Sequence, residues 1–115
     1  MAKSTRPNPL KITDEDTGEV YTLDFDRAAV KFAEQRGFKI LGVQDAPETA
    51  ISDLFFYAFR KNHKNVAREK TDKILDAMEG LTLPEVQRLQ ELYSASITSL
   101  NVEGDRKNSR MKVEL

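Results

Sequence analysis

The sequence predicts a helix-dominant α+β domain, with an N-terminal β-hairpin packed on about four α-helices. Three observations carry that prediction. Two short alternating runs flank an acidic turn that ends in Gly18. Four later segments repeat apolar residues at i, i+3, i+4 spacing. Each of those segments begins or ends on a capping residue or a glycine.

The first run is Leu10-Lys11-Ile12-Thr13 and the second is Glu19-Val20-Tyr21-Thr22-Leu23, with Asp14-Glu15-Asp16-Thr17-Gly18 between them. The glycine stands where a hairpin turn needs a positive φ. Leu10 and Ile12 share one face, as do Tyr21 and Leu23 on the partner strand. A two-stranded hairpin is marginal by itself in water, so this face requires helices against it.

Asp26 is a helix N-cap, with Phe25 and Val30 at hydrophobic-staple spacing. Ala29, Val30, Phe32 and Ala33 form the buried side, and Gly37 closes the helix. Residues 38–43 are expected as a short third strand or a loop. A second helix is expected from Asp45 or Ala46, through a capping box of Asp45 and Glu48, to about Asn62. Its stripe is Ile51, Leu54, Phe55, Ala58 and Phe59, which leaves Phe56 and Tyr57 pointing elsewhere. A third helix is expected from about Asn65 to Glu79, stopped by Gly80. The fourth has a capping box of Thr82 and Glu85, a staple of Leu81 and Val86, and Pro84 in its first turn. Val86, Leu89, Tyr93, Ile97 and Leu100 make its stripe, widened by Leu92 and Ser96. Residues 1–9 are expected as a flexible arm, 10–100 as a single domain, and 101–115 as a mobile polar tail.

Composition removes several classes of function. The 115 residues carry a net charge of -1, so no global basic field draws nucleic acid. Cysteine is absent, which removes disulfides, zinc–thiolate sites and thiol nucleophiles together. No apolar run nears the roughly 20 residues of a membrane span, and the N-terminus lacks an apolar signal segment. A cytoplasmic location is expected.

No catalytic set emerges. Asp14, Asp16 and Gly18 suggest a calcium loop, but glycine falls where an oxygen ligand is needed and Phe25 where the bidentate glutamate belongs. His63 is the only histidine, and it lacks an orienting carboxylate and a nucleophile at a suitable spacing. It reads as a cation or cap at a helix C-terminus. Five scattered glycines offer no phosphate cradle. No cofactor or metal is expected, and an enzyme is the least favoured class.

What remains is surface. Leu54-Phe55-Phe56-Tyr57-Ala58-Phe59 carries more aromatic area than one helix stripe can hide. Either another helix of the chain covers Phe56 and Tyr57 or another protein does. Arg60, Lys61, Lys64, Arg68 and Lys70 form a basic segment, which also reads as a solvated helix–helix corner, and Asp14, Glu15, Asp16, Glu19, Asp24 and Asp26 form an acidic patch. The two patches have opposite sign and invite head-to-tail association into a homo-oligomer.

The order of these motifs resembles the small tail assembly chaperones of long-tailed phages and prophages. The likeness runs from about residue 10 to residue 100. It rests on Thr17-Gly18-Glu19-Val20-Tyr21-Thr22-Leu23-Asp24-Phe25-Asp26-Arg27, on Glu34-Gln35-Arg36-Gly37-Phe38, and on the aromatic run 54–59. Ile74-Leu75-Asp76-Ala77-Met78-Glu79-Gly80-Leu81 and Leu89-Gln90-Glu91-Leu92-Tyr93 complete it. The resemblance implies a mostly helical, self-associating protein of the host cytoplasm. It implies binding to the tape measure protein, a long helical polypeptide kept soluble until tube subunits polymerise around it. Phe55, Phe56, Tyr57, Phe59, Leu92 and Tyr93 are the expected partner-binding anchors, in a helix-in-groove mode. The competing reading is a small nucleic-acid-binding regulator that uses the basic segment 60–70.

Overall fold

The structure, a computed structural model, describes residues 7–45 and 47–98. The arm over 1–6, the capping box through the Asp45 side chain, Leu100 and the tail over 101–115 lie outside the described residues. The elements are β1 (Leu10–Thr13), β2 (Val20–Leu23), α1 (Arg27–Gln35), α2 (Gly42–Asp45), α3 (Pro47–Ala58), α4 (Arg68–Ala77) and α5 (Leu83–Thr98). Over the described residues the protein is a helix-dominant α+β domain, a two-stranded antiparallel hairpin packed with five helices, one of them a single turn.

The hairpin is antiparallel, with Leu10 opposite Leu23 and Ile12 opposite Tyr21. Gly18 has φ 80° and donates its N–H to the Asp14 carbonyl at 2.7 Å. The Asp14 carboxylate accepts the Asp16 and Thr17 amides at 2.9 and 3.3 Å, so it belongs to the turn. Tyr21 and Leu23 are buried, while Leu10 and Ile12 pack at the margin of the core.

Local signals set most helix ends. The Asp26 carboxylate accepts the Ala29 amide at 2.8 Å, and the staple residues Phe25 and Val30 are both buried. After α1 the Gly37 amide donates to the Glu34 carbonyl and the Phe38 amide to the Ala33 carbonyl. With Gly37 at φ 91°, this is a Schellman end. The capping box before α5 is reciprocal: Thr82 N–H donates to Glu85 Oε1 at 2.8 Å, and Glu85 N–H to Thr82 Oγ1 at 3.3 Å.

Residues 38–43 form no strand. Gly42, Val43 and Gln44 donate to the carbonyls of Lys39, Ile40 and Leu41, turning the chain directly into α2. The outer edge of β2 is already occupied. The Thr22 amide donates to His63 Nε2 at 3.0 Å, the Thr22 carbonyl accepts from Asn62 at 3.2 Å, and the Asp24 amide donates to the Ala58 carbonyl at 3.0 Å. With those groups satisfied, a third strand cannot pair with β2 at Thr22 or at the Asp24 amide.

α3 is the hub and packs against α1, α2, α4 and α5. It ends at Ala58, earlier than its sequence suggests, because Phe59 to Lys64 turn back over β2. α4 also starts later, at Arg68. Two groups of rings run through the core, one around Tyr93 and Tyr57 and one around Phe59. Phe25 and Phe38 both meet Tyr93, at 5.1 and 5.6 Å between centroids, and Phe38 meets Tyr57 at 5.5 Å. Phe55 and Tyr21 both meet Phe59, at 5.1 and 5.5 Å. Mostly tilted or edge-on, such pairs each add about 0.5–1.5 kcal/mol beyond area burial. Arg88 donates to the Asn8 carbonyl at 3.1 Å and ties the segment before β1 to α5.

Candidate binding surfaces

The aromatic anchors expected from the sequence are core residues. Phe55, Tyr57, Phe59, Leu92 and Tyr93 are buried within the chain, and only Phe56 keeps partial exposure. The reason is the central position of α3. Helices pack on several sides of its C-terminal half, so a residue off its main stripe there still faces a neighbour. Tyr57 packs against Phe32 and Phe38 at 5.9 and 5.5 Å. The guanidinium of Arg68 covers Phe56, 5.5 Å from its centroid. A partner that used these rings as anchors would have to open the core.

The basic segment divides by partner. Lys61 Nζ lies 2.8 Å from Asp24 Oδ2, whose side chain is 5% exposed. Arg68 pairs with Asp53 and Asp72, each at 3.0 Å. Lys70 sits on the exposed face of α4. Arg60 and Lys64 have no carboxylate partner among the described residues, and Arg36 of α1 joins them. His63 is neither a helix-end cation nor a base: its Nε2 accepts the Thr22 amide, and its ring packs on Tyr21 and Phe59 at 5.5 and 5.9 Å. Lys61, Asn62 and His63 thus form a clasp on the β2 edge. Its contacts span 37 to 41 residues of sequence, and no local pattern announces them.

The acidic turn is exposed, and Glu19 accepts the Tyr21 hydroxyl at 3.0 Å. Burial and then Glu19 raise the pKa of Tyr21 above its ordinary value. Burial followed by the Asp53 charge does the same for Tyr57. Tyr93 is pushed up to about 12 by burial and by the Glu34 carboxylate, which accepts its hydroxyl at 3.4 Å. These shifts stabilise neutral phenols inside the fold. Among the described residues no group of three or more His, Asp or Glu could hold a metal ion.

A surface not foreseen in the sequence lies between α3, the α4–α5 loop and the start of α5. Two open concavities of about 490 and 460 Å³ meet at Ile51 and Leu81 and form one trough. Its lining includes the buried Leu75 and Val86 and also Leu83, which is 69% exposed. Leu41, the most exposed large apolar residue described, is two positions before the lining residue Val43. The charged lining residues are Glu48, Asp76 and Glu79, with no lysine or arginine. Leu83 immediately follows the Thr82 cap in the sequence, so it could have been noticed there. Its exposure depends on how α5 docks on α3, which the pattern does not show.

Residues 1–115 match a family model described as a domain of unknown function, DUF5055. Neither a curated protein nor a solved structure matches the chain.

Proposed function

The chain belongs to the DUF5055 family, and we propose that it is a non-enzymatic assembly chaperone that binds the tape measure protein of a long-tailed phage. In this reading it keeps that long helical polypeptide soluble in the host cytoplasm while tube subunits polymerise around it. The resemblance over residues 10–100 supplies the class of function. The observation that carries it onto the structure is the acid-rimmed apolar trough whose lining includes Leu83. An amphipathic client helix buries its apolar stripe in such a groove, reading anchors at helical spacing. The three carboxylates at the rim favour a client segment that carries lysine or arginine beside its stripe. Self-association belongs to the same proposal, and light scattering on the purified chain reads it directly.

The nucleic-acid reading through residues 60–70 has less to draw on. Lys61 and Arg68 are neutralised by Asp24, Asp53 and Asp72, which leaves fewer charges for a polyanion.

The test is co-expression with the tape measure protein. The intact chain keeps the client in the soluble fraction, and Leu83→Asp lets it precipitate while the chaperone itself stays folded. If the client is equally soluble, or equally insoluble, with the intact chain and with Leu83→Asp, the trough is not its site.

A further inference from the structure

Arg36 closes α1 and Arg60 lies just beyond α3, yet both guanidinium groups lie over the same ring. Their carbons are 4.3 and 4.0 Å from the centroid of Phe32. The two charges therefore cannot stand further apart than the sum of those distances. Lys64, His63, Phe56 and Val66 complete a concavity of about 220 Å³ around them, and no carboxylate lines it. Arg36, Arg60 and Lys64 have no acidic partner among the described residues, whereas their neighbours Lys61 and Arg68 do.

Like charges gathered this closely repel each other unless an anion offsets them. The Phe32 ring offsets part of that cost through its quadrupole. Among the described residues neither guanidinium donates a hydrogen bond, so their N–H groups are available to a ligand. The imidazole on the cleft wall adds no charge while its Nε2 accepts the Thr22 amide. No carboxylate among the described residues offsets these charges.

We infer that this cleft binds a phosphoryl group, from a phosphate monoester or a phosphodiester. A guanidinium fork donates to two oxygens of one phosphate, and two forks with one ammonium match its multiple oxygens and its charge of up to about -2. A single carboxylate offers two oxygens and one charge to three cations. The site is separate from the trough and does not depend on the assembly role.

The test uses the full chain in heteronuclear NMR, titrated with sodium phosphate at constant ionic strength. Sodium chloride and sodium acetate serve as controls. Phosphate produces saturable shifts at the Arg36 and Arg60 side-chain Nε–H groups and at the Lys64 amide, while chloride produces none. Arg36→Gln weakens phosphate binding by about tenfold or more, the loss expected for one charge-assisted contact. Lys64→Gln, at an exposed position, weakens it as well and keeps the test independent of any change around Phe32. A thymidine oligonucleotide separates the two sources. Binding much tighter than to phosphate, with steep salt dependence, identifies a nucleic-acid backbone, and binding no tighter identifies a free phosphorylated compound. Either result supports a phosphoryl site. Three results overturn it: no saturable shift with phosphate or oligonucleotide, shifts that persist unaltered in both variants, or acetate binding as tightly as phosphate.

Discussion

Glu79 holds a left-handed conformation, with φ 62°, alone among the described residues other than glycine. It stands where the Schellman end of α4 wants glycine. Its amide donates to the Asp76 carbonyl, and the next amide, that of Gly80, donates to the Leu75 carbonyl. The sequence pointed to Gly80 as the stop, one residue late, because a glycine beside a glutamate attracts the assignment. Glu79→Gly relieves the strain, partly offset by the freer unfolded chain, and raises unfolding free energy by about 0.5–1 kcal/mol in urea titration. Tyr93 makes a second prediction at this scale. An unfolded tyrosine ionises near 10, and Tyr93 does so at about 12. Between those values the unfolded chain releases a proton that the folded chain keeps. Stability is therefore fully present below pH 10 and is lost as pH rises through about 12. Tyr93→Phe flattens this dependence, which urea midpoints on either side of the window will show.

At the scale of elements, the clasp of residues 61–63 on β2 is the least local feature of the fold. His63→Ala leaves the Thr22 amide without its acceptor and lowers stability by about 1–3 kcal/mol. Asp24→Ala costs more than Lys61→Ala, because Asp24 also accepts the Phe25 amide at 2.8 Å and is itself buried. Thermal unfolding of the two variants side by side gives the order. The helices were legible where their signals sit within four residues of each other: the Asp26 cap, the Gly37 end, and the Thr82 and Glu85 box. Residues 38–43 were not. Phe38, Ile40 and Gly42 alternate weakly enough to suggest a strand, but the edge such a strand would use on β2 is filled by a segment about forty residues away in sequence. Long-range satisfaction of backbone groups overrode a short local pattern.

At the scale of the whole molecule, the same central helix that made the aromatic run conspicuous also hides it. Hydrophobicity predicted that Phe55, Tyr57 and Phe59 matter; only packing could show that they matter to the core. The surfaces left for partners come from elsewhere. One is an apolar trough with acidic rims, and the other is a cationic cleft built from Arg36, Arg60 and Lys64. Residues on separate elements form both, so neither appears as a motif. Leu83→Asp, at a 69% exposed position, leaves the unfolding free energy nearly unchanged, within about 0.5 kcal/mol, while it removes client binding. The measurement that tests the client surface most directly is amide hydrogen exchange of the chain with and without the tape measure protein. Slowed exchange over residues 43–52 and 75–90, absent in Leu83→Asp, is the predicted result. Protection confined to other elements, or no protection at all, would contradict it.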